Sequence, residues 1–390
     1  MTETETIVVG GGTAGAAIAG RLAEAGRSVL LIEAGTDFGP PDSGRWPARL
    51  LDPSLMPVDL HSWNYINSGT HGQQDMVMPR ARVIGGCSSH NGCTVVWGHR
   101  DNYDAWEAAG NPDWGAEQLL PYLRMANDRL RMSIPDRNEI TPFHQVMLQS
   151  APAAGLPSIA DFCDLDIDQG LGIGPVNISD GLRWNAAFAC IDPVRELPNF
   201  SVVSETMVER LMLKGGRVTG VVVCGPDGER ALRAGRVVLA GGAYGTPLIL
   251  QRSGIGDPDG LDPHGIAVGH SLSGVGKNLQ DHPALAVDFT GTPELTAMLD
   301  AFVEQGGMPR EEGTIGLASS SRCEGPFDLH LYPIAHRNGP ADWDVFIGAA
   351  VMAPRSAGRI RISSADPEAC LLYTSPSPRD RTRSRMPSSA

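Results

Sequence analysis

Residues 6–35 read TIVVGGGTAGAAIAGRLAEAGRSVLLIEAG, and this order of residue types dictates the first unit of the fold. Residues 6–9 are mostly β-branched and predict a strand, whereas the alanine-rich run to Ala25 predicts a helix. Between them lies Gly10-Gly11-Gly12-Thr13-Ala14-Gly15. Strand, glycine turn and helix in this order open a dinucleotide-binding βαβ unit. Gly10 permits the tight turn, Gly12 lets the backbone approach a pyrophosphate, and Gly15 lets the helix pack closely on the strand. The helix N-terminus, with Thr13 and Ala14 in its first turn, then faces the phosphates. A second predicted strand, residues 28–32, runs into Glu33, 18 residues after Gly15, where a carboxylate can accept hydrogen bonds from ribose hydroxyls. The motif alone leaves NAD and FAD open, although the following Ala34-Gly35 is more typical of flavoproteins.

Outward from this unit, the chain has 390 residues, too many for one hydrophobic core, so about two domains are expected. With 42% hydrophobic and 19% charged residues and a mean hydropathy of -0.12, it reads as a soluble globular protein. No apolar run approaches the roughly 18 residues of a membrane span. A net charge of -14 argues against a polyanionic partner and so against nucleic acid. Residues 1–5 are polar and acidic where a secretory signal is basic and then apolar, which predicts a cytoplasmic protein. The seven cysteines include no CxxC pair, which suits reduced thiols and predicts no metal site.

Residues 79–106 read PRARVIGGCSSHNGCTVVWGHRDNYDAW. Here the chain resembles the glucose-methanol-choline (GMC) family of flavin-dependent alcohol oxidoreductases, through Arg82, Gly85, Gly86, Ser88 and Asn91. Cys87 and His90 depart from the broad family pattern. GGCSSHN resembles the choline oxidase branch, in which the histidine of this motif bonds covalently to the flavin C8 methyl group. The resemblance therefore implies FAD, attached at His90; a buried structural His90 beside non-covalent FAD is the alternative. Gly85 and Gly86 would let backbone amides approach the isoalloxazine ring. Gly92 stands where that branch has a small polar residue, and the same cofactor segment extends to Val95. Upstream, Trp63-Asn64-Tyr65 resembles a family segment near the flavin, with a core aromatic as the plain alternative.

A second signature, GGAYGTPLILQRSGIG at 241–256, follows a predicted buried strand at 237–240, so Ala240 and Gly241 form another turn beside the cofactor. A helix is predicted to begin near Thr246-Pro247, with proline in its first turn. Strands predicted at 200–204, 207–213 and 218–224, the last two joined by a Gly215-Gly216 turn, resemble the meander that covers the adenosine half of FAD and place Val208 at the adenine. GVGKNLQDHP at 274–283 resembles a supporting segment of the family, so Asp281 and His282 are not expected to do chemistry.

The expected fold is mixed α/β (α+β). A discontinuous Rossmann-like FAD-binding domain, 1–145 and 186–290, would join an incomplete substrate domain built on an antiparallel sheet, 146–185 and 291–369. In the latter, 328–333 and 359–362 read as strands and 306–313 as a loop. Residues 371–390 carry four arginines and one aspartate without apolar periodicity and are not expected to pack; without them the body has a net charge of -17. Residues 370–380, CLLYTSPSPRD, resemble the translation of a sequencing-library adaptor, so the natural frame is expected to end near Ala369.

These features imply an FAD-dependent oxidoreductase that moves hydride from the CH–OH group of a primary alcohol (choline-like, sugar-like or another small alcohol) to flavin N5. The alternatives are a hydroxynitrile lyase of the same family or an inactive fragment. Expected partners are the alcohol and an electron acceptor, O2 or a carrier, with a homodimer left open. The family's acid/base histidine falls in a segment expected to be missing, so no catalytic residue is assigned to His282, His330 or His336, and the 390-residue chain is expected not to oxidise alcohols. Glu311 and Glu312 stand near the position of the branch's trimethylammonium-binding carboxylate, with too loose a match to assign choline.

Overall fold

The computed structural model describes residues 4–67, 76–310, 312–366 and 372–374. Its first six-stranded sheet has the spatial order Met207–Lys214, Arg217–Gly225, Gly228–Leu239, Thr4–Val9, Val29–Ile32, Phe200–Val203. The last four strands are parallel and form the Rossmann-like half, while the first three form an antiparallel meander. Gly228–Leu239 belongs to both: residues 228–233 pair with the meander, and 234–239 pair in parallel with the opening strand.

The opening strand is buried on both faces, as a parallel strand between two layers must be. Val8 packs with Ala16, Ala19 and Ala23 of the helix Thr13–Glu24. Ile7 and Val9 face the other way, into a core with Val208, Leu211, Val221, Val223 and Ile249. The alanine face keeps the helix close to the sheet. A Cβ at Gly15 would lie 1.8 Å from the Gly10 carbonyl oxygen, so the third glycine has the packing role expected of it.

A second six-stranded sheet runs Ala284–Phe289, Asp342–Val351, Leu329–Gly339, Thr314–Ala318, Gly170–Ile173, Ser158–Ile159, antiparallel except for its last pair. Helix Pro293–Glu304 covers part of it through Leu299, Ala335 and Val345. The strand Ala284–Phe289, placed with the first domain in the sequence reading, pairs here with 342–351 of the second sheet. All six of its residues are exposed, Leu285 at 81%, Val287 at 61% and Phe289 at 49%. An apolar strand at a sheet edge is a template for association.

His144, on the helix Pro142–Ser150, ties this helix to the sheet. It is fully buried, with Nδ1 2.8 Å from Thr141 Oγ1 and Nε2 3.0 Å from the Pro333 carbonyl. The carbonyl can only accept, so Nε2 carries the proton and Nδ1 accepts from the threonine hydroxyl. Neutral imidazole satisfies both contacts, and burial pushes its pKa down to about 4.

Three expectations are corrected. The second-signature helix spans Gly242–Arg252, so Pro247 lies inside it rather than in a first turn; the helix starts as soon as the strand ends. Residues 237–240 are only half buried, because Leu239 and Ala240 line a cavity. Residues 371–390 were not expected to pack, yet Leu372–Thr374 pairs with Gly358–Arg361, whose open edge accepts any extended backbone. The rest of that tail, 375–390, and Glu311 lie outside the described residues.

Candidate functional site

The C-terminal ends of the parallel strands open into a cavity of about 800 Å³. This is the place where a doubly wound sheet receives a ligand. Gly10, Gly12, Thr13 and Ala14 form one wall, Glu33 and Ala34 another, and Ala240 and Gly241 a third. The helix Thr13–Glu24 has neither a side-chain cap nor an acidic residue in its first turn, so its leading N–H groups are left for an anion.

Glu33 is only 6% exposed. One carboxylate oxygen accepts from the Gly11 amide and the other from the Gly35 amide, each at 2.7 Å. These bonds aim the group, and each oxygen keeps a lone pair for a further donor. Burial raises its pKa, opposed by the Gly35 and Gly11 amides and by the charge of Arg82.

The two glycine loops meet back to back. The Gly85 amide donates to the Gly11 carbonyl at 2.8 Å, and a Cβ at Gly86 would stand 2.7 Å from the Gly12 Cα. Gly85 and Gly86 have φ of +84° and +57°, the left-handed region that glycine adopts without strain. Gly86 and Cys87 reach the cavity wall; Gly85, Ser88, His90, Asn91, Gly92 and Val95 do not line it, and neither does Gly15. Ser88 braces the loop instead, donating to the Gly85 carbonyl at 2.7 Å and accepting from the Ala186 amide at 3.0 Å. His90 is 5% exposed and its Nδ1 is buried without a hydrogen-bond partner. Burial, then Arg183 and Arg80, push its pKa down to about 4, so the ring is neutral at pH 7.

Trp63 and Tyr65 stack in parallel at 5.7 Å along another wall, with Arg82 4.8 Å from the Trp63 ring centroid. Tyr244 meets Tyr65 edge-on, and Arg80 sits 5.0 Å from the Tyr244 ring. Val208 lines the cavity at the meander side. The sequence reading missed Arg80, Thr206, Met207, Tyr244 and Arg252, which also line it. Arg80 lay two residues before an assigned arginine, where alternation along an extended segment would have flagged it, and Tyr244 lay inside the second signature, whose helix had been read as starting only near Thr246-Pro247. A glycine-backed helix terminus, three arginines and a fixed carboxylate in one cavity fit a dinucleotide with a pyrophosphate bridge.

Of the three histidines left unassigned, His282 and His330 are near enough for the charge of one to act on the other. His282 and His336 are exposed, and the neighbouring Asp281 lies 3.9 Å from Arg80. His330, on the second sheet, is half-buried with Nε2 unpartnered and its ring 5.3 Å from Tyr332. Burial lowers its pKa, and the charge of Glu312 opposes that shift. The six described cysteines are thiols rather than disulfides. Among the described residues, no helix is long and apolar enough to cross a membrane.

Residues 4–284 match the sequence profile of the GMC oxidoreductases. The chain is similar to mitochondrial choline dehydrogenase of Homo sapiens, 34% identical over 315 residues, which are 75% of this chain and 52% of that protein. It is also similar to choline oxidase of Arthrobacter globiformis, 33% identical over 392 residues, covering 93% of this chain and 70% of that one. The chain thus spans about half the length of its human relative. Among solved structures, pyridoxine 4-oxidase from Mesorbium loti superposes with a TM-score of 0.79 at 26% identity, over 96% of this chain and 76% of that one.

Proposed function

The chain belongs to the GMC oxidoreductases, and from that premise we propose that it binds FAD in the cavity between its two glycine loops and serves the oxidation of a primary alcohol at its CH–OH carbon. The observation that carries this reading is the contact of the loops around Gly12 and Gly86, with Glu33 fixed in the same cavity. Gly10, Gly12 and the helix amides of Thr13 and Ala14 hold the pyrophosphate, with Gly15 setting the helix close enough to do so. Glu33 accepts from the ribose beside Ala34, and Val208 packs on the adenine. Trp63 and Arg82 close the wall, and Ala240 and Gly241 bound the opposite side. Bound flavin supplies the hydride acceptor, N5. The substrate is a small alcohol of choline-like or sugar-like class, and the electrons pass on to O2 or a carrier. The first sheet forms the FAD-binding domain and the second contributes to the substrate side. No observation favours the hydroxynitrile lyase.

The test is anaerobic bleaching. FAD-loaded protein read through the natural frame beyond residue 369, with the 390-residue chain as the control expected not to react, is mixed with a panel of primary alcohols that includes choline. Loss of the flavin absorbance near 450 nm with at least one alcohol is the expected result on the order of seconds to minutes for typical turnover; bound flavin that stays oxidised with every alcohol while a hydroxynitrile is cleaved would overturn it.

Covalent attachment at His90 is the finer part of the reading, supported by the neutral ring and its unpartnered Nδ1. The loop residues Gly85, Ser88, Asn91, Gly92 and Val95 then hold the histidine rather than touch the adenosine half. Acid-precipitated protein should carry yellow flavin in the pellet, and His90→Ala should shift it to the supernatant. A parent protein whose flavin all stays in the supernatant removes the covalent bond from the reading and leaves FAD binding untouched.

A further inference from the structure

Arg183 is the largest fully buried side chain among the described residues, and its hydrogen-bond partners are all uncharged as written. Nε donates to the Leu50 carbonyl at 3.0 Å, Nη2 to the Asp52 carbonyl at 2.8 Å and to that of Leu55, and Nη1 to Cys93 Sγ at 3.2 Å. Burying a guanidinium without a carboxylate beside it costs several kcal/mol even when its protons are satisfied. Apolar packing would fill the same space at lower cost, so the charge and the fork call for another reason.

That reason lies in what the guanidinium touches. Cys93 ends the loop that carries His90 and sits at φ +63°, a conformation a non-glycine residue keeps only when its surroundings hold it there. The Cys93 carbonyl accepts from the Asn177 amide at 3.0 Å, and at the loop's other limb Ser88 accepts from Ala186. Residues 177–186 therefore grip the loop on both sides of His90. We propose that Arg183 is the positioning residue of the His90 loop: its planar fork fastens Cys93 to residues 50–55. Arg183 and Arg80 are the charged groups that act on His90, one from the hairpin strand Leu182–Arg183 and one from the segment before Arg82. Both oppose protonation, which keeps a nitrogen lone pair available. Lysine could supply the charge and not the fork.

The inference rests on the reading of this loop as the flavin-contacting loop, and the experiment separates the two. Arg183→Met, Arg183→Lys and Cys93→Val are prepared with labelled histidine. The His90 ring is titrated by NMR in cofactor-free protein, and acid-precipitable flavin is measured after loading. Arg183→Met should raise the His90 midpoint and lower attached flavin at least about tenfold. Arg183→Lys should keep the parent midpoint but lose flavin as Met does, and Cys93→Val should keep the midpoint with attached flavin reduced several-fold. A folded Arg183→Met with parental midpoint and parental flavin overturns the proposal. If Arg183→Met does not fold, parental flavin in Arg183→Lys and Cys93→Val overturns it equally. If the parent itself attaches no flavin, the covalent reading fails, and the midpoints still decide the role of Arg183.

Discussion

Glu33→Ala should release FAD during dialysis, with the dissociation constant raised about 10- to 100-fold, the range of one or two hydrogen bonds to a charged acceptor. The loss has two sources. The ribose loses its acceptor, and the Gly11 and Gly35 amides, which both donate to this carboxylate, lose theirs. An orphaned buried amide costs about 1–3 kcal/mol, so the cofactor-free protein should also melt earlier. Glu33→Gln keeps one acceptor oxygen and should fall between Ala and the parent. Fluorescence titration with FAD and a thermal melt of each variant provide the check; an alanine variant that retains FAD through dialysis as the parent does would remove Glu33 from the ribose contact.

The second large effect is acid lability. His90 and His144 each have a native pKa near 4 against an ordinary 6.5. Below pH 6.5 the unfolded chain binds protons that the native state refuses, so stability falls as pH drops and the loss is complete near pH 4. Above pH 6.5 the two rings contribute no pH dependence. For the fully buried His144 a depression of this size corresponds to about 3 kcal/mol, a large share of the about 5–15 kcal/mol of an ordinary domain, and His90 adds in the same direction. Urea melts of cofactor-free protein at pH 7.5, 6, 5 and 4.5 should show a progressive fall, and His144→Gln should make it shallower by about one proton's worth. Stability that is flat from pH 7.5 to 4.5 would show that these rings are not held neutral by the fold.

The opening βαβ unit was legible because its information is local: a β-branched run, a glycine turn, an alanine face and a carboxylate lie within residues 4–33. The meander was legible for the same reason, its turn being set by Gly215-Gly216. What stayed hidden depends on partners distant in the chain. Nothing near His144 announces that its ring will bond the carbonyl of Pro333, 189 residues away, and nothing near Arg183 announces Leu50 or Cys93. Pro247 misled because proline marks a first turn more often than it sits inside a helix; here the helix Gly242–Arg252 accepts the missing donor. In the cavity, the motif residues Gly10, Gly12 and Glu33 were readable, whereas Tyr244 and Arg252 enter by the pitch of a helix whose start had been placed too late.

The twelve-residue strand Gly228–Leu239 has a consequence for how the molecule opens. One end is laced to the meander that carries Val208, and the other to the strand that ends at Gly10. A single continuous backbone thus spans both wings of the sheet, and neither wing can detach without breaking the ladder of the other. Amides at 221–224 and at 7–9 should therefore exchange with deuterium at a common slow rate set by one concerted opening, even though more than two hundred residues separate them along the chain.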